Sequence, residues 1–83
     1  MLYFRIYSMG DSDSLKAERK ILKIANKENL NVEVEQCSNI EEMLKFKTDR
    51  LPIVLLNNEV VCFGKAPTKS EILDSISKLQ KSI

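Results

Sequence analysis

The chain has 83 residues, with 13 Lys and Arg against 12 Asp and Glu, no histidine, no tryptophan and two cysteines, for a formal net charge of +1. One small domain over residues 1–83 is expected, and at roughly 0.05 to 0.15 kcal/mol per residue its stability is on the order of 4 to 12 kcal/mol. The missing histidine excludes Ser-His and Cys-His catalytic pairs and the commonest zinc ligand. Two cysteines cannot build a four-sulfur zinc site or a disulfide scaffold, and near-zero charge argues against nucleic acid or an anionic membrane as the main partner.

Leu2, Phe4 and Ile6 alternate with Tyr3, Arg5 and Tyr7, the two-residue period of a strand over 2–7. Asp11-Ser12-Asp13-Ser14 then supplies oxygen acceptors and negative charge for the start of a long helix. In that helix Ala17, Ile21, Leu22, Ile24 and Ala25 fall on one broad arc, and Lys16, Lys20, Lys23 and Lys27 on another, so one side is buried and the other solvated. Asn29 to Asn31 interrupts the chain. Val32 and Val34 alternate with Glu33 and Glu35 in a second strand ending near Cys37, and a strand, helix and strand in this order imply a parallel βαβ unit.

Ser38 with Glu41, or Asn39 with Glu42, forms a capping box for a short second helix carrying Ile40, Met43 and Leu44, with Phe46 a further candidate. Pro52 requires that helix to stop by Arg50. Ile53 to Leu56 and Val60 to Phe63, joined through Asn57-Asn58-Glu59, read as a β-hairpin, because asparagine tolerates the positive φ of tight turns. Thr68-Lys69-Ser70-Glu71 is a second capping box, and Ile72, Leu73, Ile76 and Leu79 follow at helical spacing. With one short helix against two long ones, one sheet face should be well packed. The other should be partly wet around Arg5, which can pair with a glutamate of the second strand in a surface contact worth at most about 1 kcal/mol.

The order βαβαββα, with Ile6-Tyr7-Ser8-Met9-Gly10 before the first helix, Leu51-Pro52 before the hairpin, Asn58-Glu59 in its turn and Gly64-Lys65-Ala66-Pro67-Thr68-Lys69-Ser70-Glu71-Ile72 entering the last helix, resembles the small thioredoxin-like and glutaredoxin-like redox proteins. The resemblance covers essentially the whole chain. It implies an α/β thioredoxin-like fold, a four-stranded mixed sheet in the order 2-1-3-4 with helices on both faces. In that family a Cys-x-x-Cys motif follows the glycine at the helix start, where the dipole stabilises a thiolate, and the loop proline is cis and faces it.

Aligning Gly10 with the family's glycine puts Asp11 and Ser14 at the two cysteine positions. A carboxylate cannot form a mixed disulfide and a hydroxyl cannot replace a resolving thiol, so dithiol-disulfide exchange by the family mechanism is not expected and no catalytic residue is assigned. The helix dipole tolerates a carboxylate at Asp11, while Asp11 and Asp13 together would repel an approaching anion. The chain's own thiols should not bridge. Order 2-1-3-4 places Cys37 and Cys62 on opposite edge strands roughly 14 Å apart at about 4.8 Å per strand, beyond the roughly 7 Å that a disulfide spans. Cys62, between Val61 and Phe63, reads as a buried apolar residue.

The resulting expectation is a non-catalytic thioredoxin-fold protein, a peptide or protein binding or adaptor module whose candidate surface is Met9, Gly10, Asp11, Leu51, Pro52 and Gly64. The family's loop proline leaves neighbouring backbone free to pair with an extended peptide, which needs no thiol. The alternative is an atypical single-thiol oxidoreductase or redox sensor using Cys37. Neither a cofactor nor a metal is expected, because Gly64-Lys65 lacks a phosphate-loop pattern and the Asp11 to Ser14 cluster has two carboxylates where a hard cation wants six or more oxygens. No uncharged stretch approaches the roughly 20 residues of a membrane span. A cytoplasmic monomer or weak homodimer is expected, with no nucleic acid or membrane partner.

Overall fold

The computed structural model describes residues 2–10, 12–46 and 50–81, with side chains as far as residue 79. Its elements are β1 (Leu2–Tyr7), α1 (Ser12–Lys27), β2 (Val32–Cys37), α2 (Ile40–Leu44), β3 (Ile53–Leu56), β4 (Glu59–Phe63) and α3 (Lys69–Lys81). The strands form one mixed sheet in the order β2-β1-β3-β4, with β1 parallel to β2 and antiparallel to β3, and β3 antiparallel to β4. This is the thioredoxin-like α/β arrangement expected from the element order.

Local chemistry accounts for the ends of the elements. Asn29 closes α1 in the left-handed region at φ 57°, with Leu30 N–H donating to Ala25 O at 2.8 Å and Asn29 N–H to Asn26 O at 3.4 Å, a Schellman-type cap that uses asparagine where glycine is commoner. Of the two alternatives for α2, Asn39 is the cap, its Oδ1 accepting from Glu42 N–H at 3.2 Å. The capping box of α3 is reciprocal: Thr68 Oγ1 accepts from Glu71 N–H at 3.1 Å and Glu71 Oε1 from Thr68 N–H at 2.9 Å. The hairpin loop is the pair Asn57-Asn58, both at positive φ (47° and 76°), so β4 begins at Glu59, one residue earlier than the hydrophobic run suggests. Asn57 also anchors β1, since its Oδ1 accepts from Tyr3 N–H at 2.9 Å.

The sheet carries two unequal apolar layers. Phe4, Ile6, Val54, Leu56 and Cys62 pack against Ala17, Ile21 and Ile24 of α1 and Ile72 and Ile76 of α3. On the opposite face Tyr7, Ile53 and Leu55 pack against Met43, with Cys37, Phe46 and Leu51 at the margin. The Tyr7 and Phe46 rings lie 5.3 Å apart between centroids. Alternation along each strand dictates this division, since neighbouring side chains leave on opposite faces.

Three apolar residues assigned to helix interiors from spacing are exposed. Leu22 lies about 100° around α1 from the middle of the buried arc of Ser14, Ala17, Ile21, Ile24 and Ala25, so it falls at the solvent edge. Ile40 and Leu44 are also exposed, because Met43 and Phe46 set the inward direction of α2 and both residues fall on its same outer flank. A helix of five residues cannot roof the whole sheet, and Val60 and Phe63 on β4 are left about half exposed. A register shift between Val54 and Leu55 pairs Leu55 with Val60 and Val54 with Cys62, so Val61 is an extra residue.

Candidate functional site

The carboxyl ends of β1 and β4 and the start of β3 meet at one edge of the sheet. Tyr7 is opposite Ile53 and Ile53 opposite Phe63, so one further step along each register puts Ser8 and Gly64 on either side of Pro52. Gly64 N–H donates to Pro52 O at 2.9 Å, closing that side. The Leu51–Pro52 peptide bond is cis and the Pro52 ring is fully buried. Leu51 packs against the smaller apolar layer. Gly64 sits at φ 83°, where glycine is favoured, and a Cβ there would also crowd Arg50 Cβ at 3.2 Å.

Across β1, Met9 and Gly10 are exposed and lead into α1, Gly10 at φ 85°. Gly10 N–H is 3.4 Å from Ser8 Oγ, and Ser8 N–H donates to Cys37 O at 2.9 Å, which holds this loop against the end of β2. A cleft of about 250 Å³ opens here, lined by Ser8, Gly10, Ser14, Leu15, Gln36, Cys37 and Ser38. The Gln36 amide donates to Ser14 O at 3.2 Å and to Glu18 Oε1 at 2.8 Å, fixing the first turns of α1 to β2. Of the sequence-derived surface, Met9, Gly10, Leu51, Pro52 and Gly64 therefore gather at one end of the sheet, and Asp11 lies outside the described residues.

Ser14 occupies the first turn of α1 and is buried. Neither thiol lies beside it in a reactive state. Cys62 is on the other edge strand, under α1 and α3, with its thiol 3.4 Å from Lys65 O and burial pushing its pKa up to about 11. Cys37 is on the edge strand next to the cleft, but alternation turns its side chain to the α2 face, against the smaller apolar layer. There Cys37 Sγ donates to Glu35 Oε1 at 3.0 Å. Burial, then the Glu35 carboxylate, pushes this thiol up to about 11, and the same contact draws the Glu35 carboxyl below its ordinary range. A negative neighbour raises a thiol's pKa, so this environment is the reverse of one that activates cysteine.

The partly open face carries Arg5. Its Nε and Nη1 donate to the hydroxyls of Tyr3 at 3.3 Å and Tyr7 at 3.2 Å, its guanidinium lies 5.3 Å from the Tyr3 ring centroid, and Glu35 Oε1 is 3.9 Å away. The β1–β2 register places Arg5 directly opposite Glu35, as the charge alternation suggested. Side-chain exposures of 35% and 51% keep the ion pair in the weak, solvent-screened class.

Sequence reasoning missed Ser8, Leu15, Gln36 and Ser38 as cleft residues. Alternation puts Gln36 on the same face as Val32 and Val34, but it is exposed and water could satisfy its amide, so its bonds to α1 had no signal in the sequence. Among the described residues no group of three or more His, Cys, Asp or Glu is placed to hold a metal ion, and no helix is long and apolar enough to cross a membrane.

The family described as thioredoxin domain matches residues 7–77, most of the chain, and the chain belongs to it. No curated protein and no solved structure matches it.

Proposed function

We propose that this member of the thioredoxin-domain family is a non-catalytic binding or adaptor module, holding an extended peptide or protein partner along Met9, Gly10, Asp11, Leu51, Pro52 and Gly64. The observation that carries the reading is the state of the one thiol near that surface. The Cys37 thiol donates a hydrogen bond to Glu35 Oε1 at 3.0 Å and its pKa is pushed up to about 11, so at neutral pH only about one chain in ten thousand presents a thiolate there. Asp11 and Ser14 occupy the positions where the family's chemistry needs a nucleophilic thiol and a resolving thiol. What remains is shape: an exposed Met9, a cleft beside Gly10 and a sheet end ordered by Pro52 and Gly64. A flexible, polarisable methionine beside a rigid sheet end suits adaptable contact with peptide side chains.

The test is thiol exchange together with peptide selection. The chain is incubated in glutathione buffers over a range of potentials, trapped with an alkylating agent and read by mass spectrometry. Cys37 and Cys62 are expected to stay free throughout; a reversible, potential-dependent adduct on Cys37 would establish the single-thiol redox alternative in place of this reading. Peptides selected from a random library on the wild-type chain should lose affinity for Met9→Lys, and undiminished binding would remove the proposed surface.

A further inference from the structure

The lysines of α1 are the largest feature of the sequence that the sheet-end site leaves unused. Lys16, Lys20, Lys23 and Lys27 recur every three or four residues, and at 1.5 Å per residue they form a stripe about 16 Å long on one side of the helix. The start of α3 comes against this stripe. Lys20, Lys23, Lys27, Thr68 and Lys69 surround a cleft of about 330 Å³ whose remaining lining residue is the buried Ile24. All five lysines are exposed, and none forms an ion pair with a described residue. Lys20 Nζ donates to Pro67 O at 3.4 Å, tying α1 to the segment that enters α3.

Three features decide which anion suits the cleft. Ile24 and the methylene stems of the lysines offer apolar surface beside the positive charge, which an apolar side chain can cover and a hydrated phosphate cannot use. The start of α3, which would otherwise attract phosphate, already holds a carboxylate, since Glu71 Oε1 caps Thr68 N–H at 2.9 Å and pairs with Lys65 at 3.1 Å. The lining also has no arginine, the side chain whose planar fork matches phosphate.

We propose that the cleft between α1 and the start of α3 is a second interaction surface, which binds an acidic amphipathic segment of another protein, an apolar side chain resting on Ile24 and carboxylates meeting Lys20, Lys23, Lys27 and Lys69. It is independent of the reading of the sheet end, because it uses a different face and different chemistry.

The full-length chain, labelled with ¹⁵N, is titrated with a synthetic peptide of repeated Asp-Leu-Glu-Glu units, with the matching Asn-Leu-Gln-Gln peptide, and with inorganic pyrophosphate. The acidic peptide is expected to shift the amides of Lys20 to Lys27, Thr68 and Lys69 saturably, and to release as salt approaches about 1 M, where screening acts within about 3 Å. Lys23→Glu combined with Lys69→Glu should weaken that binding about tenfold or more. Both side chains are exposed and a glutamate at the first position of α3 suits its dipole, so the unfolding curve should be retained. Should that pair fail to fold, Lys23→Gln with Lys69→Gln must weaken binding in the same direction. Equal binding of the neutral peptide, tighter binding of pyrophosphate at the same amides, shifts confined to Met9, Gly10, Leu51 and Gly64, or no saturable shift would each overturn the proposal.

Discussion

Glu35→Gln tests the reasoning about Cys37 most directly. In the wild type the thiol ionises near pH 11, so at pH 8 about one chain in a thousand carries a thiolate, roughly a hundredfold fewer than for an ordinary thiol of pKa about 9. Thiolates of higher pKa are intrinsically better nucleophiles, with a Brønsted slope of about 0.4 to 0.5, which returns roughly six- to tenfold. Alkylation of Cys37 should therefore run about ten- to fifteenfold slower than that of an exposed model thiol, before any steric hindrance. Replacing Glu35 removes the second and third causes of the elevation and leaves burial, the largest, in place. If half of the elevation is lost, the same arithmetic gives about a three- to fourfold acceleration. Cys62 serves as the internal control, because its elevation comes first from burial and not from Glu35. The assay is the pH dependence of iodoacetamide labelling, resolved by peptide mass mapping. An apparent pKa of about 8 or below at Cys37, or equal acceleration at both cysteines, would refute the argument.

Three further outcomes follow from local geometry. Thr68→Ala should cost about 1 kcal/mol in urea unfolding, as the Glu71 N–H at 3.1 Å loses its acceptor. The Glu71 carboxyl is held below its ordinary range by the Thr68 N–H first and Lys65 next, so its contribution is complete above the ordinary carboxylate pKa and is lost as pH falls through the lowered folded value; the stability difference between wild type and Glu71→Gln should accordingly close in acid, and a difference independent of pH would contradict it. In the hairpin, Asn58→Gly should be neutral or stabilising by up to about 1 kcal/mol, because φ 76° suits glycine, whereas Asn57→Ala should cost more than about 1 kcal/mol in thermal unfolding, since alanine must take φ 47° and the bond to Tyr3 N–H is lost. Equal effects at the two positions would contradict that reasoning.

Much of this architecture was legible because it is local. Alternation in Leu2–Tyr7 and Val32–Cys37, the acceptors before α2 and α3, and the two asparagines between β3 and β4 each act within a few residues, where sterics and hydrogen-bond supply leave few alternatives. Strand order and the opposition of Arg5 and Glu35 followed from alternation together with the family's topology. Long-range partners decided the rest. Leu22, Ile40 and Leu44 show apolar spacing and are nevertheless exposed, because burial depends on how far a five-residue helix reaches and how α1 is rotated on the sheet.

By itself the amino-acid order determined the elements, the capping box of α3 and the absence of a cysteine pair at residues 11 and 14, all properties of neighbours along the chain. Only the tertiary structure decided that the smaller apolar layer covers Cys37 where it bonds to Glu35, that Gln36 holds the start of α1, and that Lys69 joins the lysines of α1 around Ile24. The physical reason is common to all three. A pKa, a cleft or a charge cluster is set by groups within a few ångströms in space, and here packing brings the decisive ones in from other elements: Tyr7 and Met43 into the layer that covers Cys37, Gln36 onto α1, and Lys69 beside the lysines of α1.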